Sequence, residues 1–561
     1  MKRFIQFTLL LFAALPLAAQ KNHNFEVSKN LDIFNSLYKQ LDLNYVDTLD
    51  ANKLIKNAAD YMLSGLDPYT EYYTNEDRSD LKQMLTGKYA GIGALIHYYK
   101  KKDRCVIAEP YENMPAADAG IKAGDIILSI DGKDPGVKGS RATDDYTSSV
   151  SSALRGLPGT ELTLKVERLG QSKPLVFKIK RRAIQLPSLP YYGMVTDSVG
   201  YLYLSQFTEG CAKEMRRAII DLKTKGAKAL VLDLRGNGGG SLSEAIDIVN
   251  FFIPKGCEVV HTKGKVRAAN SVDKTRNDAL DEHIPLAVLV NGGSASASEI
   301  TSGALQDLDR AVIVGSQTYG KGLVQQTREL PYNGVLKLTT AKYYIPSGRC
   351  VQAIDYSHRN SNGSVGRIPD SLTHVFHTAA GREVRDGGGI RPDILTQRDS
   401  LPNIVIYLSP QMSTGDVLFD FVTEYTLRHS TIDAPETFDI SDEEYELFKA
   451  KAIRDTFKYD RQSERILQEL KRVARIEGYA NQAADAFKLL EEKLKHDTDY
   501  DLTLWKPEIK KLLNAEIMRR YYYQKGYIRN SLNGDKDLEA ALKVLGNQQE
   551  YRRILSGPKS K

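Results

Sequence analysis

The sequence predicts a multidomain α/β protein: an α/β core with a partly parallel sheet, a mainly-β unit before it, and helical regions at both ends. Three observations carry this. Over residues 183–399, uninterrupted apolar runs at Ala229–Leu234, Leu286–Val290 and Ala311–Val314 alternate with helix-like segments such as Ala212–Lys225, stopped by Gly226. Runs with no polar face suit strands buried on both sides, with helices between them. Over residues 88–182, short β-type runs at Cys105–Ala108, Ile126–Ile130, Leu162–Val166 and Leu175–Ile179 are separated by turns such as Asp131-Gly132 and Pro158-Gly159. At the ends, apolar residues recur at steps of three and four, as in Leu31, Phe34, Leu37, Tyr38 and Leu41.

The 561 residues are too many for one core, and the composition, 42% hydrophobic and 26% charged, is that of a folded globular protein. Residues 1–20 have the pattern of a secretory leader: Lys2 and Arg3, an apolar run from Phe4 to Leu15, then Ala18 and Ala19. The alternative is an N-terminal membrane anchor. Removal of the leader takes the net charge from +6 to 6 − 2 = +4, too weak and scattered to point to a nucleic-acid partner. Residues 21–87 read as helical, punctuated at Leu66-Asp67-Pro68. Residues 400–561 are again helical, with a capping box at Ser441 and Glu444, and read as a scaffold or assembly region. Cys105, Cys211, Cys257 and Cys350 are widely spaced and form no metal pattern, and none of the nine histidines sits in a comparably loaded segment, although a Ser-His-Asp triad stays open.

Three segments carry chemistry. Asp233-Leu-Arg-Gly-Asn-Gly-Gly-Gly240 and Asn291-Gly-Gly-Ser-Ala-Ser-Ala-Ser-Glu299 each follow a buried strand, and the second opens a helix. Strand ends and helix starts form the rim where α/β sheets place their sites, and a hydroxyl there has unpaired backbone N–H groups beside it. Such a segment also suits a plain Ser/Ala-rich cap. The third segment, Thr318-Tyr-Gly-Lys-Gly-Leu-Val-Gln325, sets Lys321 between two glycines. A lysine serves as general base only when neutral, which burial favours. Gly315–Lys321 also fits G-x-x-x-x-G-K, but Gly322 stands where a phosphate-binding loop needs Ser or Thr, so no nucleotide is expected.

Taken together, these residues resemble the carboxyl-terminal processing peptidases, or tail-specific proteases, over most of residues 60–395. The resemblance rests on Val290-Asn-Gly-Gly-Ser-Ala-Ser-Ala-Ser-Glu-Ile300, Gln306-Asp307, Arg310-Ala311, Gly320-Lys-Gly-Leu-Val-Gln-Gln326, Tyr343-Tyr-Ile-Pro-Ser-Gly-Arg349 and Gly387-Gly-Gly-Ile-Arg-Pro-Asp393. It implies a serine endopeptidase with Ser296 as nucleophile, Lys321 as base and Gln325 orienting that lysine. It also implies an oxyanion hole from Ala297 and from Gly238 or Gly239. Ser294 and Ser298 are the rival nucleophiles. Tyr89-Ala-Gly-Ile-Gly-Ala94, Pro115–Gly132 and Leu154-Arg-Gly-Leu-Pro-Gly-Thr160 resemble the PDZ domain of that family. An open sheet edge there would take an extended peptide as an added strand, with Gly91, Ile92 and Gly93 as the loop for a terminal carboxylate. The expected domains are 1–20 leader, 21–87 helical, 88–182 PDZ-like, 183–399 peptidase core and 400–561 helical. The expected partners are polypeptides with free C-terminal tails, with no cofactor, metal or nucleic acid, and a homo-oligomer or adaptor contact through the helical regions. Expected localisation is export, most simply to a periplasm. The alternative function is a PDZ-based scaffold or chaperone on an inactive or gated core.

Overall fold

Apolar runs and polar helices sort into two units in the structure, a computed structural model describing residues 2–360, 364–396, 401–409, 416–495 and 497–557. One unit is Met1–Arg78 with Gln325–Thr339; the other is Ser79–Val324 with Thr340–Lys561.

The first unit contains α1 (Lys2–Asn44), α2 (Ala51–Ser64) and β1 (Glu71–Tyr73), which pairs antiparallel with residues 335–337. Asp50 caps α2 by accepting from the Lys53 amide at 3.0 Å. The predicted break is present: Asp67 accepts from the amides of Tyr69 and Thr70 at 2.8 and 2.9 Å, closing a turn around Pro68. The apolar stripe of α1 is exposed at Leu31, Phe34 and Leu37. The side chains of the expected leader lie outside the described residues. Among the described residues no helix is long and apolar enough to cross a membrane.

The second unit begins at Ser79, within α3 (Arg78–Thr86), and continues into the mainly-β part. This comprises β2 (Lys88–Gly91), β3 (Ala94–Tyr99), β4 (Arg104–Pro110), α4 (Pro115–Asp118), β5 (Ile126–Ile130), α5 (Thr143–Leu154), β6 (Glu161–Glu167), β7 (Leu175–Lys180) and β8 (Arg182–Gln185). β3 to β7 form an antiparallel sheet in sequence order, and β2 pairs with β8. Strand β6 shows the alternation of a one-sided sheet, burying Leu162, Leu164 and Val166 and exposing Glu161 and Lys165.

The α/β core comprises β9 (Tyr191–Met194), β10 (Val199–Tyr203), α6 (Cys211–Thr224), β11 (Ala229–Asp233), α7 (Leu242–Asn250), β12 (Glu258–Gly264), β13 (Ser271–Lys274), β14 (Leu286–Val290), α8 (Ala297–Asp307) and β15 (Val312–Gly315). β16 (Leu323–Glu329) and β17 (Val335–Tyr344) follow. The main sheet runs from Ile394–Leu395 through β15, β14, β11 and β10 to β9, parallel except for the β9 edge. Every residue of β11 and β14 is buried. One face packs against α6, α7 and α8.

The other face is covered from the C-terminal region. There α9 (Asn403–Leu408), α10 (Asp416–Arg428), α11 (Asp442–Arg454), α12 (Gln462–Ile476), α13 (Ala484–Lys493), α14 (Thr498–Leu504) and α15 (Lys506–Ser531) lead to α16 (Lys536–Gly546) and α17 (Gln548–Leu555). Leu538, Ala541, Val544 and Tyr551 pack on Val231, Ala287, Leu289 and Val312. The last helices, expected as part of a separate scaffold, therefore form the third layer of the core. Strands without a polar face need cover on both sides, and residues 183–399 hold helices for only one.

Candidate active site

The site lies at the C-terminal ends of β11 and β14. After Val290 the chain makes a tight passage through Asn291–Ala295 and reaches Ser296, which caps α8 with φ 56° and ψ −113°. A non-glycine residue in that region costs about 1–3 kcal/mol and persists only where its surroundings hold it. Here they do. The Ala295 amide donates to the Asn237 carbonyl at 3.0 Å, and Gly236 donates to Asn291 Oδ1 at 2.9 Å, tying this loop to the Gly-rich turn after β11.

The same loop separates the three candidate serines. Ser294 is fully buried and its hydroxyl donates to the Leu234 carbonyl at 2.8 Å. Ser298 is fully buried and donates to the Asn237 carbonyl at 2.8 Å. Ser296, between them, is half-buried and accessible. The outer two act as rivets for the turn that presents the middle one.

Glu299, the last residue of the Asn291–Glu299 segment, organises the site. Its side chain is fully buried one turn into α8. Oε1 accepts from Thr318 Oγ1 at 2.6 Å and from the Gly320 amide at 2.7 Å. Oε2 accepts from the Ser296 and Lys321 amides at 3.0 Å each and from the Tyr343 hydroxyl at 3.3 Å. Two nitrogens each 3.0 Å from one oxygen are at most about 6 Å apart, so this carboxylate brings the backbones of Ser296 and Lys321 together. Burial pushes the Glu299 carboxyl up, against the five donors that favour its charged form. Burial and that carboxylate push the Tyr343 phenol far up. A second tie runs from the Tyr319 amide to the Ser294 carbonyl at 3.0 Å. Lys321 itself is half-buried. Its flanking glycines have φ 83° and 67°, and side chains there would meet Ala353 and Gln352 at 2.3 Å.

Gly239 packs flat against the start of α8: a side chain at this position would meet the Ala295 carbonyl oxygen at 2.7 Å and the Ala297 nitrogen at 2.9 Å. Its own amide donates to Asn237 Oδ1 at 2.9 Å. Gly238 is exposed, with open space beside it. Gln325 belongs to the other unit, where its amide donates to Thr339 Oγ1 at 3.1 Å and Thr339 donates to Asp67. The remaining motifs anchor the far end of α8. Arg349 is buried and donates to Gln306 Oε1 and Asp307 Oδ1 at 2.8 Å, while Gln306 reaches Asp393 at 3.0 Å.

A second groove lies between β3 and α5, lined by Gly91, Ile92 and Gly93 on one side. The Ile92 carbonyl accepts from Ala116 at 2.8 Å and the Gly93 carbonyl from Tyr111 at 2.9 Å. In a planar trans peptide the N–H points opposite to the C=O, so the Gly93 and Ala94 amides face the other way.

Comparison with known proteins bears on both places. Residues 198–357 match Peptidase family S41, residues 106–168 a PDZ domain, and residues 408–545 the family described as Probable PDZ-protease, C-terminal helical domain. A carboxy-terminal-processing protease of Bartonella bacilliformis is 40% identical over 356 residues, 62% of this chain and 79% of that one. A Probable CtpA-like serine protease of Staphylococcus aureus is 38% identical over 355 residues, 61% of this chain and 68% of that one. Among solved structures, a photosystem II D1 C-terminal processing protease aligns at 24% identity over 66% of this chain and 93% of that one, with a TM-score of 0.35.

Proposed function

Because the chain belongs to the carboxy-terminal-processing serine proteases of family S41, we propose that Ser296 is its nucleophile and Lys321 its general base. The protein is a serine-type peptidase with a PDZ domain, and its substrates are polypeptides. The observation that carries the residue assignment is the Glu299 carboxylate, which accepts from the backbones of both residues at 3.0 Å.

Lys321, neutral, takes the proton from Ser296 Oγ as that oxygen attacks the scissile carbonyl. The oxyanion that forms is received by the amides of Ala297, at the start of α8, and Gly238. Gly239 contributes the missing side chain that lets the two loops close, because its own amide is already engaged by Asn237. The leaving amine takes a proton from Lys321, and water then resolves the acyl-enzyme with Lys321 again as base. Loss of one oxyanion donor should lower turnover on the order of 10²–10³-fold. For Gln325 the orienting role rests on its match to the family pattern, four residues beyond Lys321.

In the same reading, the tail of a substrate adds to β3 with its carboxylate at Gly91–Gly93. The PDZ-like domain over 88–182 thereby feeds the core over 183–399, and the helical regions offer a surface for a second copy or an adaptor. Lys2, Arg3 and the apolar run after them support export to a periplasm through a leader over 1–20. N-terminal sequencing of the cell-derived protein should begin near Gln20; a chain still starting at Met1 would favour the anchor.

The serine assignment is tested by three single variants on an unfolded polypeptide substrate. Ser296→Ala should remove cleavage and keep the fold. Ser294→Ala and Ser298→Ala should retain cleavage and lose about 0.5–1.5 kcal/mol of stability, since each removes a buried hydrogen bond from a carbonyl that keeps its backbone amide donor. Cleavage by Ser296→Ala at the wild-type rate would move the nucleophile to one of its neighbours.

A further inference from the structure

The wall of the β3–α5 groove carries information about which tails enter it. Among the described residues, β3 is an edge strand of its sheet and pairs with β4 alone. Near the end of β3, Tyr98 meets Tyr146 near the start of α5, ring centroids 6.4 Å apart. At the other end, the Gly91 position lies against Arg155, just past the end of α5, at 3.7 Å. Helix and strand are therefore antiparallel. A tail with its carboxylate at Gly91–Gly93 runs antiparallel to β3, and its upstream residues pass along α5 from the helix C-terminus toward the N-terminus.

α5 turns Tyr146, Val150 and Leu154 into the domain core. The opposite stripe, Asp144, Thr147, Ser148 and Ser151, lines the groove. On an added strand, side chains facing the helix recur about every 6.8 Å, while the helix advances about 1.5 Å per residue. Ser151, beside the buried Ile92 and Leu154, meets the last residue of the tail. Thr147 and Ser148, about 5–6 Å further along, meet the third residue from the end. Asp144, about 10 Å along and leaning toward the helix N-terminus, meets the fifth. The neighbouring cations are engaged elsewhere. Arg141 lies over the Tyr146 ring at 4.6 Å and donates to the Pro135 carbonyl; Arg155 pairs with Asp80 at 2.6 Å. Asp144 is exposed and faces the groove as an acid.

We propose that this groove selects tails carrying a basic side chain at the fifth residue from the carboxyl terminus. The proposal rests on the tail-capture reading above. It is tested by fluorescence anisotropy on the full chain with labelled decapeptides that end in a free carboxylate. The peptides differ at the fifth position from the end (Lys, Ala or Glu) and are otherwise identical. At low salt the Lys tail should bind about 3- to 10-fold more tightly than the Glu tail. Asp144→Asn should level the two, and Asp144→Lys should invert their order. Equal affinity for Lys and Glu tails, or a Lys preference that survives both Asp144 variants, overturns the proposal. A carboxamide peptide binding as well as the free acid, or no tail binding at all, overturns tail capture itself, and the proposal with it.

Discussion

Glu299 constrains the site from within, because one buried carboxylate holds the Ser296 and Lys321 segments by their backbones. Its consequence is specific. Glu299→Gln keeps the shape but turns acceptor capacity into donors that face other donors, the amides of Ser296, Gly320 and Lys321. Glu299→Ala leaves those amides without a partner. Both variants should lower kcat on the order of 10²-fold or more with KM changed little, because the alignment of Ser296 with Lys321 is lost and the groove is untouched. A variant that raised KM and spared kcat would make Glu299 a binding residue instead. The residues proposed to touch substrate were singled out from sequence because each sits in a short motif at a strand end or loop, and the family resemblance gave them their roles. Glu299 was in the same motif, but its function depends on a loop about twenty positions on returning to it, as with Thr318 and Lys321. Spacing along the chain does not announce that return.

At the scale of elements, the strands most visible in the sequence were those with no polar face. The run Leu286–Val290 has the bounds read from its apolar residues, and Ala229–Asp233 ends one residue earlier than expected. Less visible was α5, whose Thr-Asp-Asp-Tyr-Thr-Ser-Ser-Val-Ser-Ser-Ala-Leu is poor in strong helix formers. Three residues at four-residue spacing, Tyr146, Val150 and Leu154, hold it to the core, and Arg181 ties its last turn by donating to the Ala153 and Leu154 carbonyls at 3.2 Å. Strand β3 was missed for another reason: its outer face is covered from far away in the chain. His97 meets Phe419 of α10 edge-on at 4.8 Å, Tyr99 donates to Asp420 at 2.8 Å, and Arg520 of α15 donates to the Ala108 carbonyl at 2.8 Å. Burial, aided by Arg520, pulls the His97 imidazole down to about 4. The folded state thus binds fewer protons than the unfolded chain between that value and the ordinary 6.5. Stability from neutral His97 is present above pH 6.5 and lost as the pH falls toward 4, at most about 3 kcal/mol. Glu109, close by, is pushed up by burial and acts in the opposite sense, so the informative quantity is a difference between proteins. Denaturant melts of wild type and His97→Gln from pH 7.5 to 4.5 should converge on acidification. Parallel curves would mean that His97 takes no part.

For the whole molecule, the C-terminal helices have two roles that residues 400–561 did not display in sequence. α16 and α17 close the second face of the main sheet, and Arg235, just beyond β11, is held there by Asp233, Asp535 and Asp537. α10 and α15 hold the PDZ-like part by β3 and β4. The sequence showed amphipathic helices; it did not show which apolar face of another segment they complete, since that is a property of the packed fold. The β3–α5 groove, Ser296, Glu299 and Lys321 thus lie within one unit, and the central proposal is that a Ser296–Lys321 dyad without metal performs the cleavage. The direct measurement is digestion of an unfolded polypeptide bearing a free apolar tail, by wild type, Ser296→Ala and Lys321→Arg, with and without chelator. Wild type should cut equally well with chelator present, and both variants should be inactive while still binding the tail, because arginine stays protonated and cannot serve as the base. Cleavage by Lys321→Arg, or loss of wild-type cleavage on chelation, would contradict it.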